Sequence, residues 1–159
     1  MRKIILYILI FILSATLIVY FQDNIHKVIR LLYHNLTSEK IVFNIPKLDI
    51  YFPSLYLITI SGFILTITAF CFLQLTPKQK ILNSFIFLLL LPLTIIIYCY
   101  LDGTTRIVTC TICKDFLYLN YSDINYDKIT ITSIILSSLP IIVNAKINYW
   151  KNTYKKASH

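Results

Sequence analysis

Glycine and charged residues are scarce in this sequence. The chain has only two glycines among 159 residues, and charged residues make up 14% of it. So little glycine leaves few positions for backbone loops that cradle phosphate, and neither HExxH nor GxSxG occurs. Four long segments contain no charged residue and no histidine, which argues against proton coupling and ion conduction through this chain alone. We therefore expect no catalytic residue, no cofactor, no metal ion and no enzymatic activity.

The four uncharged segments predict an integral membrane protein. Hydrophobic residues make up 57% of the chain and its mean hydropathy is +0.72, more than a water-soluble core of this length requires. A helix crosses the hydrocarbon layer with roughly 20 apolar residues. The expected fold class is an all-α membrane protein, a four-transmembrane-helix bundle with spans at about 4–21, 54–75, 81–101 and 129–145. The first span is expected to be an uncleaved anchor, because its apolar run continues well past Ser14.

The charged residues sort by predicted membrane side. The start of the chain, the inner loop 76–80 and the inner tail 146–159 carry eight basic residues and no acid, whereas every acidic residue falls in the outer loops 22–53 and 102–128. Short loops rich in Lys and Arg stay cytoplasmic, so both termini are expected in the cytoplasm and the chain in lipid, in a bacterial inner membrane. The net charge of +8 therefore does not indicate nucleic-acid binding, which requires basic residues clustered on one face.

The first outer loop is expected to begin with a short interfacial helix. Asp23 or Asn24 is placed to cap it. Its apolar face would be formed at i, i+3, i+4 and i+7 by Ile25, Val28, Ile29 and Leu32. Its polar side chains are expected to face away: His26, Lys27 and Arg30.

A small extracytoplasmic β-sheet is expected to join the two outer loops. Residues 40–45 are β-branched and aromatic and predict a strand. Asp102-Gly103 predicts a turn, followed by a second strand over 104–109. Residues 116–119 predict a third strand, which would return after a turn near Lys114 and Asp115. More than two strands are expected because an isolated hairpin is marginal in water.

Cys110 and Cys113 form a CxxC motif in the second outer loop. Outside the cytoplasm thiols tend to oxidise, so one interpretation is a local disulfide. The other is a thiol-exchange pair, as in membrane thiol oxidoreductases. Such chemistry relays electrons through a second pair or a quinone, and Cys71 and Cys99 are predicted near opposite ends of their spans, too far apart to bond. Zinc is not expected, because no second Cys or His pair stands at ligand spacing.

Small and hydroxylated residues recur at helical spacing in two spans. They are Thr59, Gly62 and Thr66 in the second span, and Thr130, Ser133, Ser137 and Asn144 in the fourth. Such stripes let helices approach closely and form hydrogen bonds in a bilayer. They predict either packing among this chain's own helices or a face that grips the transmembrane hairpin of another protein.

Two glycosylation sequons fall in the outer loops, at Asn35 and at Asn120. In a eukaryote they would favour a claudin-like junction or tetraspan protein. The abundance of Ile, Asn, Lys and Tyr instead indicates AT-rich coding, typical of plasmid and prophage genes. We favour the second interpretation.

From about Leu48 onward the chain resembles the inner-membrane immunity proteins that protect bacteria from pore-forming colicins of the A, B and N type. The resemblance rests on the plan of the chain: a short N-terminal anchor, Leu48-Asp49-Ile50-Tyr51 before the second span, Lys78-Gln79-Lys80, Ile97-Tyr98-Cys99-Tyr100 and a lysine-rich tail. It implies contact with the toxin's hydrophobic hairpin within the membrane. The alternatives are a phage superinfection exclusion protein that blocks DNA entry, the thiol oxidoreductase, and an accessory subunit of a membrane complex.

Overall fold

Four long helices dominate the computed structural model, which describes residues 2–37, 41–44, 54–109 and 117–157. The helices are α1 (Arg2–Thr37), α2 (Leu55–Leu73), α3 (Pro77–Thr109) and α4 (Tyr126–Ala157), with strands β1 (Ile41–Asn44) and β2 (Leu117–Asn120) between them. A 3₁₀ turn over Tyr121–Asp123 leads from β2 to α4. All four helices are long and apolar enough to cross a membrane, which confirms the predicted number of candidate spans.

Helices that follow one another in the chain pack antiparallel, so α1 runs parallel to α3 and α2 runs parallel to α4. α1 and α4 each pack against both α2 and α3, and touch one another very little. Tyr7 of α1 stacks on Phe70 of α2, and Gln79 of α3 bonds to Asn148 of α4, so these parts lie at one end, called here the basic end. At the opposite, acidic end, the last turns of α1 and α3 meet the first turns of α2 and α4.

The predicted separate interfacial helix is wrong, because α1 runs without interruption from Arg2 to Thr37. No proline or glycine interrupts this segment. Asp23 lies inside the helix and pairs with Lys27 at 3.2 Å, one turn later, where the sequence predicted a cap. Ile29 is fully buried as expected, but Val28 is exposed. His26, expected to face away from the bundle, is buried.

The predicted strand over 104–109 is also wrong, since α3 continues to Thr109. Within the helix, Arg106 Nε donates to the Asp102 carboxylate at 2.8 Å. The hydroxyls of Thr104 and Thr109 donate to the backbone carbonyls four residues earlier. Threonine has good strand propensity, but here its hydroxyl is satisfied within the helix. Gly103 does not form a turn and is buried against α1.

The segments between α1 and α2 and between α3 and α4 do join in a small sheet, as predicted. β1 and β2 pair in parallel from Ile41 opposite Leu117 to Asn44 opposite Asn120. Ile41 of β1 and Leu119 of β2 are buried. In the described residues the sheet has two strands, not the predicted three. Lys40, Ile45, Phe116 and the turn at 114–115 lie outside the described residues.

The core is divided along the bundle into three apolar clusters. The largest, at the acidic end, includes Ile29, Tyr33, Ile95, Cys99, Ile124, Tyr126 and Ile129. A middle cluster comprises Ile18, Leu57 and Ile131, and a cluster near the basic end comprises Leu75, Ile141 and Ala145. Outside the core, long apolar side chains of α1 and α3 stay uncovered, among them Leu13 (62% exposed) and Leu88 (68%). Surface of this kind is compatible with a surrounding membrane.

Candidate functional site

The densest polar network of the described residues lies at the acidic end of the bundle. The Tyr33 hydroxyl of α1 donates to the Asp102 carboxylate of α3. Arg106 donates its Nε to the same carboxylate at 2.8 Å and a terminal N–H to the Asp123 carbonyl at 3.0 Å. This part of the network ties α1, α3 and the 3₁₀ turn together.

Aromatic rings and one cation continue the network toward α4. The Arg30 Nε donates to the Tyr126 hydroxyl at 3.0 Å, and that hydroxyl donates to the Tyr121 carbonyl at 3.0 Å. The Arg30 guanidinium lies 5.2 Å from the centre of the Tyr121 ring and 5.6 Å from that of Tyr126. A guanidinium over aromatic rings keeps its charge while its apolar plane is covered. Arg30 therefore joins α1 to the segment that leads into α4.

His26 is stacked on the same Tyr126 ring, with centroids 4.4 Å apart and planes 17° from parallel. The His26 side chain is buried, and it serves as a flat packing group between α1 and α4.

Ser54 connects the start of α2 to this network. Its Oγ accepts from the Leu57 backbone N–H at 3.0 Å, which caps α2, and it donates to the Asp127 carboxylate of α4. In 2–37, 41–44, 54–109 and 117–157 no group of three His, Cys, Asp or Glu side chains is placed to hold a metal ion. The contacts found at the acidic end are those of a clamp on all four helices.

A second polar cluster joins α3 to α4 near the basic end, and it consists of side-chain amides. Gln79 and Asn148 bond through both amides, at 3.2 and 2.5 Å. One turn further along α3, the Asn144 amide donates to Asn83 Oδ1 at 2.9 Å, and Asn83 donates to the Gln79 carbonyl at 2.8 Å. Asn83 is fully buried. Asn83 lies inside a predicted span, and a polar residue there is a sign of contact between helices, but the sequence prediction named only Asn144.

The structure divides the predicted stripe residues between interior and surface. Gly62, Thr66, Thr130, Ser133 and Ser137 are buried, and Thr59 is exposed. Three of the hydroxyls bond within their own helix: Thr59 to the Leu55 carbonyl, Thr66 to the Gly62 carbonyl and Ser137 to the Ser133 carbonyl. Ser61 and Ser138, which the stripe did not include, are fully buried as well. A role of any of these residues against a partner stays a prediction.

The cysteines of the described segments are thiols. Cys71 is half-buried and Cys99 is fully buried, and neither is in a disulfide, as their predicted separation required. Cys110 and Cys113 lie outside the described residues, so the disulfide and the thiol-exchange pair both stay predictions.

An apolar cleft opens between α1 and α2 toward the basic end. It has a volume of about 430 Å³ and is lined by Tyr7, Ile8, Phe11, Phe63, Thr66 and Ile67. The Thr66 hydroxyl donates to the Gly62 carbonyl of its own helix at 2.7 Å, so it offers little to a ligand. Volumes of roughly 300–1,000 Å³ are typical of small-molecule sites.

No protein-family model, curated protein sequence or solved structure matches the chain.

Proposed function

We propose that the chain is a multi-pass protein of the bacterial inner membrane that confers immunity to a pore-forming bacteriocin by contact with the toxin within the bilayer. The proposal extends the resemblance in plan to colicin immunity proteins. In that family, the mechanism implied is contact between immunity helices and the toxin's hydrophobic hairpin. The same contact requires helices that present apolar surface to the membrane interior.

The observation that carries this proposal is the apolar surface that the bundle leaves uncovered. Leu9 and Leu13 of α1 are 58% and 62% exposed, and Leu88 of α3 is 68% exposed. In lipid, helix association depends on close packing between such surfaces, since burial from water contributes nothing there. Two side-chain amides of α3 are meanwhile paired with amides of α4, Asn83 with Asn144 and Gln79 with Asn148. The uncovered faces therefore offer shape and apolar contact, which suits a hydrophobic hairpin.

The charge distribution supports the proposed orientation. Lys78 and Lys80 begin α3 at the basic end, where Lys146 and Lys151 of α4 also lie. Asp102 and the other described acids lie at or toward the opposite end of the bundle. Since basic segments are retained in the cytoplasm, the basic end and both termini are assigned to the cytoplasmic side.

Challenge of a sensitive bacterium that expresses the chain tests the function directly. The cells are exposed to a panel of pore-forming colicins, to a nuclease colicin and to phages, and survival is counted against toxin dilution. We expect survival of at least one pore-forming colicin and ordinary killing by the nuclease colicin, which does not act by opening a pore. Protection against phages alone would replace immunity with superinfection exclusion. Unchanged killing by all agents would overturn the protective role.

The thiol oxidoreductase alternative is separated by serine substitution. We expect Cys110→Ser and Cys113→Ser together to leave protection in place, because apolar contact needs no thiol chemistry. If the cysteines form a disulfide, its loss would lower stability by about 2–4 kcal/mol without abolishing the function. Complete loss of protection in a variant that still reaches the membrane in normal amount would favour the oxidoreductase. Co-purification with a stable host complex would favour an accessory subunit.

A further inference from the structure

Two aromatic contacts join α1 to α2 beside the cleft. Toward the basic end the Tyr7 ring stacks on Phe70, with centroids 3.6 Å apart. One turn further along α1, Phe11 meets Phe63 edge to face at 6.2 Å. Phe11 also leans into the space beside Gly62, where an added Cβ would lie 3.1 Å from its Cε2 atom. Because Gly62 has no side chain, the Phe11 ring fits beside it, and the apolar cleft lies between the two helices.

The dimensions of the hollow favour a hydrocarbon chain over a protein helix. A helix with its side chains is about 10–12 Å wide, too wide to enter between two helices that are already in ring contact. Ile8 and Ile67, on opposite walls, are 53% and 47% exposed, so the cleft opens to the outside of the bundle. Within a membrane that outside is acyl chains, and filling an apolar hollow regains dispersion contacts that a void would lose.

The charge next to the cleft indicates which lipid would be held. Arg2 and Lys3 begin α1, and Tyr7 follows Arg2 by five residues, about 7 Å along a helix. Lys78 and Lys80 lie at the same end, beyond the last turn of α2. Neither 2–22 nor 54–101 contains an acidic residue. The sequence therefore supplies positive charge at the starts of α1 and α3, and no carboxylate of these segments opposes an anionic headgroup at this end.

We propose that the α1–α2 cleft binds one acyl chain of an anionic phospholipid whose headgroup is held at the basic end of the bundle. The inference rests on the proposed membrane placement and is independent of the toxin. A lipid bound here bridges α1 to α2 and covers side chains such as Ile8 and Ile67 that the bundle leaves exposed.

Native mass spectrometry of the full chain in mild detergent tests the site. The probes are phosphatidylglycerol and phosphatidylcholine with identical chains, added in a titration. Ile8→Trp fills the cleft, and Ile12→Trp is the matched control, because Ile12 is equally exposed on α1 (55%) but does not line the cleft. We expect one retained phosphatidylglycerol, binding about tenfold weaker in Ile8→Trp and unchanged in Ile12→Trp. Should Ile8→Trp fail to fold, Ile67→Trp fills the cleft from α2.

The charge arm uses Arg2→Gln with Lys3→Gln, compared with Lys151→Gln on α4. We expect the first pair to remove the preference for phosphatidylglycerol and the second to keep it. Equal binding in the Ile8 and Ile12 variants, or no preference between the two lipids in the natural chain, would overturn the proposal. Membrane fractionation of the same cells distinguishes failure of the lipid site from failure of the proposed membrane placement. Recovery of the chain in the soluble fraction without detergent would contradict both.

Discussion

Gly103 of α3 lies directly against Thr37 of α1, so close that a Cβ atom at position 103 would stand 2.6 Å from Thr37 Cγ2. Thr37 cannot easily turn aside, because its hydroxyl donates to the Tyr33 carbonyl at 2.5 Å. The other glycine, Gly62, also meets α1, but its neighbour is the far edge of the Phe11 ring at 3.1 Å. Both glycines therefore permit close helix approach, with different tolerance for a side chain.

We expect Gly103→Ala to lower the free energy of unfolding by about 1–3 kcal/mol, the usual effect of overpacking a tight contact. Gly62→Ala should have a smaller effect, because the Phe11 ring can shift by a few tenths of an ångström. Unfolding in detergent, titrated with dodecyl sulfate and followed by circular dichroism, measures both. Equal effects of the two substitutions would contradict the different packing described at these crossings.

The amide pair Asn83 and Asn144 should show measurable energetic coupling. A double-mutant cycle with Asn83→Ala and Asn144→Ala is expected to give about 0.6 kcal/mol, the average for hydrogen bonds between membrane helices. Thr59→Ala serves as the reference, because Thr59 lies near the start of α2, toward the opposite end of the bundle, and its effect should add to that of Asn83→Ala. Full additivity of the two asparagine variants would show that the bond contributes nothing to stability.

Removing the Asp102 carboxylate should weaken the acidic end of the bundle. Asp102→Ala leaves the donors of Tyr33 and Arg106 without this acceptor, and we expect a loss of about 1–3 kcal/mol. Asp23→Ala is the matched control, since its pair with Lys27 is largely exposed and should contribute about 0–1 kcal/mol. The detergent unfolding assay compares the two, and a loss in Asp23→Ala as large as that in Asp102→Ala would contradict this prediction.

Reporter fusions test the orientation. A reporter joined after Lys80 should be active only as a cytoplasmic reporter, and one joined after Asn35 only as an extracytoplasmic reporter, because basic segments remain inside. Lys78→Glu with Lys80→Glu should weaken this asymmetry. An outward signal after Lys80 in the natural chain would reverse the assignment of both ends.

The sequence predicted the number of helices well and the outer segments less well. The uncharged runs are long and bounded by charge, so their identity as helices depends on local composition, which the sequence contains. The parallel pairing of Ile41 with Leu117 was anticipated only as a joining of two loops, and its direction was not. The sequence did not predict that α1 extends past Phe21 or that α3 extends past Leu101, because charged residues follow both runs and threonine favours strands.

The candidate sites depended more strongly on packing than on pattern. Gly62, Thr66 and Ser137 were identified by spacing and are buried, but Thr59 of the same stripe is exposed, so spacing alone did not decide burial. The burial of His26 against Tyr126 was not predictable in the same way, since the two residues are separated by 100 positions in the chain. The α1–α2 cleft likewise combines residues that are far apart in the chain, such as Phe11 and Phe63.

By itself, the sequence determined that this protein has four long apolar helices and that its acidic residues fall between the first and second and between the third and fourth uncharged runs, because hydrophobic length and charge are properties of contiguous residues. Only the tertiary structure decided which polar groups meet, such as Tyr33 with Asp102 and Asn83 with Asn144. Those contacts depend on how each helix is rotated and shifted along its axis relative to its neighbours. The packing of side chains between helices sets this rotation and shift, and the local sequence of one helix does not.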